Sequence, residues 1–460
     1  MNNSAGRRIA DENGTIYELD RRLGEGGQGT VFLVRNGRQA VKILQNTTQS
    51  RREDLRRQIR LVRQLDLAGI NIARPIALLK EPKLGYVMEF LSGMESLNSL
   101  VEVPRQTDDI GEWYLQGGGL RRRLRLLAKC AELFAQLHAK GLAYGDPSPN
   151  NIFISSNNEA DEVWLIDTDN LKYDDSASNR GFYTSSYGAP ELELGKSGTN
   201  TLTDAHAFAV IAFKSLSLVH PLMGDLVDNG DPDLITQALQ GKLPWIDDSN
   251  DDLNRSSQGL PREIILSPKL RKLCQRTFGE GLNNPLKRPA IKEWIETLHS
   301  AADYTLKCDH CSNTFYANNT HCSWCDVPRS QFIQVAISRW EPQHGIVSTP
   351  LQAIALELNV TTELTSRITT GITDHQRHQP SISLKASQES TGISITVQSL
   401  NGKSYWLTSN GRDNVEVEIS DRPKRFPLDP QRFGTWVLHF APLDQPQRVA
   451  KFTLVSGVAQ

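Results

Sequence analysis

The 460-residue chain is poor in sulfur, with six cysteines and four methionines. Six cysteines in this length exclude a densely disulfide-stapled scaffold, and Cys130 and Cys274 fall in helical apolar patterns as expected core residues. Neither sign of charge is in excess, since 51 basic residues face 53 acidic ones for a net charge of −2, so composition points to no polyanionic partner. The chain also lacks an uninterrupted apolar run. Its most apolar long window, Ala205 to Met223, is broken by Lys214 and His220 and reads as a buried helix, so no membrane span is predicted. Residues Met1 to Asp11 are polar and carry no apolar signal-peptide core, which makes the cytoplasm the expected compartment. Internal repeats and low-complexity tracts are missing, apart from a polar stretch at Asp247 to Gln258 that should form an exposed loop. The length suits two to four domains.

What is present begins with Gly145-Asp146-Pro147-Ser148-Pro149-Asn150-Asn151, followed by a β-branched strand from Ile152. An Asp five residues ahead of an Asn, with turn-forming prolines between, can face one pocket, the carboxylate taking a hydroxyl's hydrogen bond and the amide oxygen ligating a magnesium ion on nucleotide phosphates. The same residues also make an ordinary turn, so the companions decide. Gly24-Glu25-Gly26-Gly27-Gln28-Gly29-Thr30-Val31 follows an extended segment, Tyr17 to Leu23, and its missing side chains let backbone amides approach phosphates. A dinucleotide fingerprint would open into a helix, whereas Thr30 to Val34 and Gln39 to Leu44 read as two strands around Asn36-Gly37. Lys42, in Ala40-Val41-Lys42-Ile43, then sits on the second strand, within reach of α and β phosphates. Val163 to Ile166 form an apolar strand ending at Asp167, a carboxylate that can chelate magnesium.

Ala189-Pro190-Glu191, Asp204 at the head of an apolar helix and Arg288-Pro289 complete an ordered set, and with them residues 15 to 300 resemble the eukaryotic-type protein kinase family. The resemblance implies an α+β, two-lobed fold binding ATP with Mg2+ or Mn2+ in its cleft, and a Ser/Thr protein kinase acting on a protein substrate. It implies that Asp146, Lys42, Asn151 and Asp167 are catalytic, with Asn151 and Asp167 on the metal. Gly24, Gly26, Gly29, Val31, Ala40 and Lys42 would contact the nucleotide, Met88 would be the gatekeeper, and Glu89 and Leu91 would hold adenine by their backbones. Glu191 would pair with Arg288, and Asp204 would brace the catalytic loop.

Departures limit the transfer. Tyr144-Gly145-Asp146 replaces the family's His-Arg-Asp, so no arginine precedes Asp146 to receive a phosphorylated activation loop. Ser148 replaces a lysine that steadies the γ phosphate, and Thr168-Asp169 replaces Phe-Gly. On the helix of residues 50 to 66, Gln58 falls where the family places the glutamate partner of Lys42, with Glu53 and Asp54 as alternatives. The arginines of that helix, and Arg121-Arg122-Arg123 on a later one, read as solvated faces opposite apolar stripes. Ser176, Ser178, Thr184, Ser185 and Ser186 are either autophosphorylation sites or ordinary loop hydroxyls.

Cys308-x-x-Cys311 and Cys322-x-x-Cys325 are paired knuckles of the kind that close a tetrahedron around structural zinc, leaving no coordination position open. Beyond Val327 the composition turns to Thr, Ser, Val, Ile and Gln, with alternation in Leu356/Leu358/Val360, Ile393/Ile395/Val397, Val415/Val417/Ile419 and Trp436/Leu438/Phe440. These features predict a kinase N-lobe at 1–90, a C-lobe at 91–302, a four-cysteine zinc ribbon at 303–328 and an all-β, sandwich-like partner-binding domain at 329–460. A kinase domain followed by a zinc ribbon is similar to bacterial kinases that accompany a metal-dependent phosphatase and a von Willebrand A-type protein in tellurite-resistance-associated triads. That resemblance implies those two proteins as partners in a bacterial signalling or stress pathway. Two other readings stand beside it: an ATP-binding pseudokinase scaffold, motivated by Gly145, Ser148 and Gln58, and a nucleic-acid adaptor. The ribbon lacks a dense basic and aromatic surface, so nucleic acid is not an expected partner.

Overall fold

The computed structural model describes residues 7–26, 29–45, 48–174, 182–228, 230–390 and 392–458. It divides into two compact units, Met1–Leu298 and His299–Gln460. No helix among the described residues is long and apolar enough to cross a membrane.

The first unit opens with an antiparallel sheet built from β1 (Arg8–Ala10), β2 (Ile16–Gly26), β3 (Gly29–Val34), β4 (Gln39–Leu44), β5 (Ala77–Leu78) and β6 (Gly85–Glu89), in the order β1-β2-β3-β4-β6-β5. The glycine-rich turn joins β2 to β3, with Gly27 and Gln28 outside the described residues. The β3–β4 hairpin turns at Asn36-Gly37, where Gly37 has φ +70° and donates its N–H to the Val34 carbonyl at 2.9 Å. Side chains alternate across a strand, so Val41 and Val87 join Leu19 and Val34 on one face, while Leu44 and Tyr86 point to the other. Helix α1 (Gln49–Gln64) covers this second face through Ile59 and Leu55. Lys42 lies in register with Leu44 on the α1 side and is 6% exposed, so the strand's period alone carries the lysine inward.

The remainder of this unit is mainly helical. It contains β7 (Met94–Ser96), α2 (Ile110–Gln116), α3 (Gly119–Ala139), β8 (Leu142–Ala143), β9 (Ile152–Ser155), β10 (Val163–Leu165), β11 (Lys172–Tyr173), α4 (Pro190–Glu193) and α5 (Thr201–Ser217). Helix α5 is the apolar window read from the sequence. Asn200 caps it by accepting the N–H groups of Leu202 and Thr203, and nearly every residue is buried. Phe134 of α3 meets Phe208 of α5 edge to face at 6.0 Å and Tyr144 at 5.6 Å, which anchors the segment after β8 to the core.

The reading of Arg121-Arg122-Arg123 as a solvated face fails for two of the three. Arg122 and Arg123 are 4% and 1% exposed. Arg122 donates to the Gly117 carbonyl at 3.0 Å, and Arg123 donates to the Ser215 carbonyl at 3.2 Å with its guanidinium 3.9 Å from the Tyr114 ring centre. Planar guanidinium groups are weakly hydrated and find carbonyls that helix and turn ends leave unpaired, which offsets their desolvation. Burial brings the Arg123 pKa down to about 10, so it remains cationic at neutral pH. The Asp247–Gln258 stretch is largely exposed, but Asn254 within it is fully buried and ties it down by donating to the Leu222 and Pro244 carbonyls at 3.0 and 2.9 Å. Cys130 and Cys274 are both buried.

In the second unit a hairpin of Thr305–Lys307 and Thr314–Tyr316 carries the first pair of cysteines. Beyond it stand two antiparallel sheets. Among the described residues one comprises, in order, Gly345–Ile346, Phe332–Glu341, Gln447–Val455, Trp436–His439, Tyr405–Ser409 and Glu416–Ile419, with Gln352–Leu356 also pairing Phe332–Glu341. The other comprises Thr361–Thr365, Pro380–Glu389, Gly392–Ser399 and Lys424–Pro427. Ile333, Val335 and Ile337 of the first share one core with Ile382, Leu384, Ile395 and Val397 of the second, as expected where two sheets each bury one face. Leu306, Cys308, Phe315 and Cys322 pack with Phe332 and Ala355, so residues on both sides of position 328 belong to a common cluster.

Arg288 shows how the helical part is closed. Its side chain is wholly buried and meets Glu191 through two parallel bonds of 2.7 and 2.8 Å, while its Nε donates to the Gly281 carbonyl at 2.8 Å. Removing one member would strand a buried charge, so Arg288→Ala should destabilise the first unit by about 3–5 kcal/mol. Urea unfolding followed by tryptophan fluorescence measures this, because Trp245 and Trp294 are buried in the same unit.

Candidate active site

The predicted residues converge on one cavity of about 680 Å3 in the first unit. Gly24, Gly29, Val31, Ala40 and Lys42 line it from the β2–β4 side; Met88, Glu89 and Leu91 line it along the strand end after β6; Asp146, Asn151 and Asp167 line it from the helical part. Gly26 closes β2 at the same turn.

Asp146 is held by a short network. Thr184 donates both its backbone N–H and its hydroxyl to one Asp146 oxygen, at 2.7 and 2.9 Å. The Asn151 amide nitrogen donates to the Asp146 backbone carbonyl at 3.0 Å and to its other carboxylate oxygen at 3.2 Å. With its nitrogen so engaged, Asn151 keeps its amide oxygen for other partners. Burial pushes the Asp146 pKa up, the bonds from Thr184 oppose this, and the charge of Asp167 adds to the rise. From below, Asp204 is fully buried and accepts the backbone N–H groups of Tyr144 at 2.7 Å and Gly145 at 3.0 Å. Tyr144 gives its hydroxyl to the Ile166 carbonyl, linking the Asp146 loop to the residue before Asp167.

Lys42 reaches across the cavity and bonds Asp167 at 2.7 Å and Asp169 at 2.6 Å. Burial opposes a charged amine here, but the carboxylates of Asp169 and Asp167 outweigh it and hold the lysine above its ordinary value. Burial and the neighbouring Asp167 charge push Asp169 up to about 6, against the pull of Lys42. Asp167 itself has φ +55°, which turns its carboxylate toward the cavity as the chain enters the Thr168–Asn170 turn. Gln58, the residue in the expected partner position, gives its side-chain amide to the Leu171 carbonyl instead. Glu53 is exposed and bonds Gln49 at 3.0 Å, and Asp54 is exposed beside Arg57 at 3.7 Å, so neither alternative meets Lys42.

The chain matches the protein kinase domain family over residues 17–298. It belongs to the protein kinase family. Among its relatives, the serine/threonine-protein kinase pkn2 of Myxococcus xanthus is 26% identical over 303 residues, covering 62% of this chain and 32% of the relative. Serine/threonine-protein kinase Pkn1 of the same organism is 30% identical over 213 residues, 44% of this chain and 29% of the relative. Serine/threonine-protein kinase kin-29 of Caenorhabditis elegans is 23% identical over 283 residues, 59% of this chain and 31% of the relative. The chain thus spans about a third of the length of these curated relatives.

Several kinase-domain residues had no clear signal in the sequence. Thr184 stood only among activation-loop hydroxyls, and its contact with Asp146 depends on a fold that joins positions 38 apart. Asp169 was visible as an acid where the family has glycine, but not as a lysine partner. Ser176 and Ser178 lie outside the described residues. Ser148 is 2% exposed on the cavity wall, so no cation fills the place of the family's lysine there.

In the second unit, the four cysteines form the other predicted cluster. Cys308 and Cys325 sulfurs lie 3.6 Å apart and those of Cys311 and Cys322 3.7 Å apart, with all four within 4.8 Å of one another. The two knuckles repeat the same bonds. The Cys308 N–H donates to the Asn313 carbonyl and Ser312 to Cys308, as Cys322 does to Val327 and Asp326 to Cys322. Ser312 and Asp326, each directly after a second cysteine, have φ +62° and +58°.

Gly145 stands where the family carries arginine, and a side chain there would be strained. Its φ is +89°, and a Cβ would lie 2.8 Å from the Asn170 carbonyl. Gly145→Ala should cost about 1–3 kcal/mol, whereas Gly37→Ala, with φ +70° but open space around it, should cost at most about 1 kcal/mol. Parallel urea titrations of the two variants separate the close approach to Asn170 from the backbone sign.

Proposed function

We propose that this kinase domain transfers the γ-phosphoryl group of ATP to Ser or Thr hydroxyls of a protein. The observation that carries the reading is the gathering of Lys42, Asp146, Asn151 and Asp167 on one cavity whose far wall is the Met88–Leu91 strand end. Val31 and Ala40 offer apolar faces for adenine, and the backbone of Glu89 and Leu91 offers hydrogen bonds to its edge. Lys42 would bind the α and β phosphates. Asp146 would take the acceptor hydroxyl's proton as that oxygen bonds to the γ phosphorus and the bond to the β-bridging oxygen breaks, releasing ADP. Asp167 and Asn151 supply oxygen donors of the hard type that suits Mg2+ or Mn2+, and would hold such a cation. When bound, it neutralises charge on the β and γ phosphates. The approaching hydroxyl would replace the Thr184 hydroxyl at Asp146, which keeps the carboxylate oriented before substrate arrives.

Family resemblance supports a bacterial signalling role for this kinase, with a metal-dependent phosphatase and a von Willebrand A-type protein as partners. Ser148, in place of a phosphate-steadying lysine, favours a second reading, a nucleotide-binding scaffold without transfer. Radiolabelled ATP with the purified full chain and a protein acceptor separates the two. Metal-dependent transfer should fall by at least about a thousandfold in Asp146→Asn while ATP binding persists, and tight binding with no transfer in the wild-type chain would favour the scaffold.

The rate should also fall toward acid. Asp146 acts as carboxylate, and burial raises its pKa above the ordinary 3.8, so the acid limb lies above that value. Thr184→Val removes a hydrogen bond that favours the charged form in the free enzyme and should move this limb to higher pH, read from the pH profile of kcat/KM for the two proteins.

We infer further that the four cysteines hold a structural zinc. A tetrahedron of thiolates about 2.3 Å from zinc has edges of roughly 3.8 Å, close to the sulfur separations found here. The hairpin and its turns would be tied to the β sheets through this ion, forming a platform for protein contact. Elemental analysis should find about one zinc per chain, falling below about one-third in Cys311→Ser/Cys325→Ser together with a loss of thermal stability in the second unit.

A further inference from the structure

Protein kinases orient the strand lysine with a partner carboxylate, and the expected position on α1 holds Gln58, a neutral amide whose nitrogen is spent on the Leu171 carbonyl. An ammonium that is 6% exposed cannot remain without a counter-charge, because a lone buried ion costs several kcal/mol. Two carboxylates meet it, those of Asp167 and Asp169. Their situations differ. The Asp167 side chain is 23% exposed and lines the cavity, which leaves it free to turn to a cation, while that of Asp169 is 5% exposed and does not line the cavity. Asp169 lies in the one-turn segment Thr168–Asn170, against which α1 packs. The Tyr86 hydroxyl of β6 lies beside Asp169 and favours its charged form.

We propose that Asp169 is the positioning residue for Lys42, taking over from within the metal-binding loop the part that a helix glutamate plays elsewhere in the family. The assignment rests on the phosphoryl-transfer reading above. When Asp167 engages a cation, Asp169 keeps the ammonium aligned along the phosphates. The lysine's orientation is then set by a carboxylate of the turn after β10 and not by a side chain of α1.

Two measurements on the full chain test this. Asp169→Asn preserves shape and removes charge; its kcat should fall by at least about tenfold while KM for ATP stays within about threefold, since adenine contacts and Asp167 remain. Gln58→Ala should keep kcat within about threefold. A smaller fall in Asp169→Asn, a loss that sits in KM, or an equal loss in Gln58→Ala overturns the assignment. The second measurement needs no turnover: in crystals grown with Mg2+ and ADP, Lys42 Nζ should stay within about 3.5 Å of an Asp169 oxygen while Asp167 leaves it. Lys42 found on a group of α1, or Asp169 swung away from it, overturns the proposal. A wild-type chain that shows no Asp146-dependent transfer counts against the kinase reading alone, and the crystals still decide on Asp169.

Discussion

One buried ammonium joins the sheet of the first unit to its helical part. Lys42 leaves β4 and meets two carboxylates 125 and 127 residues further along the chain, on the turn after β10. Loop closure over such a separation is entropically costly, and a charge-assisted contact at a buried lysine helps to fix the two carboxylates in one geometry. The rest of the site is arranged around that contact. Tyr144 bonds the residue before Asp167, Asp204 fixes the backbone of Tyr144 and Gly145, and Thr184 and Asn151 hold Asp146. Each of these is a bond between a side chain and a loop backbone or loop carboxylate, so the cavity is defined by irregular segments pinned to a regular core.

Much of this was legible because its signals are local or ordered. The β3–β4 hairpin announces itself through Asn36-Gly37 between alternating strands, and alternation carries Lys42 to the correct face. The run Gly145 to Asn151 and the strand ending at Asp167 are recognisable by spacing, and the structure brings all four polar residues to one cavity. What escaped is what spacing cannot encode. Asp169 differs from a surface acid only through the path of the backbone at Asp167, whose φ of +55° no neighbouring residue requires. Arg122 and Arg123 share a helix with apolar residues, and their burial depends on carbonyls contributed by Gly117 and Ser215 from outside the helical pattern. In the C-terminal unit, strands with clean alternation were visible, but Phe332–Glu341 buries consecutive residues between several strand partners and so lacks a period of two.

The cysteine knuckles follow a different logic. Their spacing is explicit in the sequence, and their repeated backbone bonds show that each pair is preorganised by its own turn. Small turns of this kind bury little apolar surface, and the few residues that do, Phe315 and Leu306 among them, lean on the β sheets.

Gly145 carries a longer-range consequence for how this kinase domain is able to change over generations. Its backbone sign and the nearby Asn170 carbonyl put strain on any side chain placed there. An arginine acquired there would bring that strain with it, and a shift of the loop or of the turn after Asp167 would be needed to relieve it. Gaining a phosphate-binding arginine at that position by single mutation would therefore carry a larger stability cost than the same change at an open glycine such as Gly37.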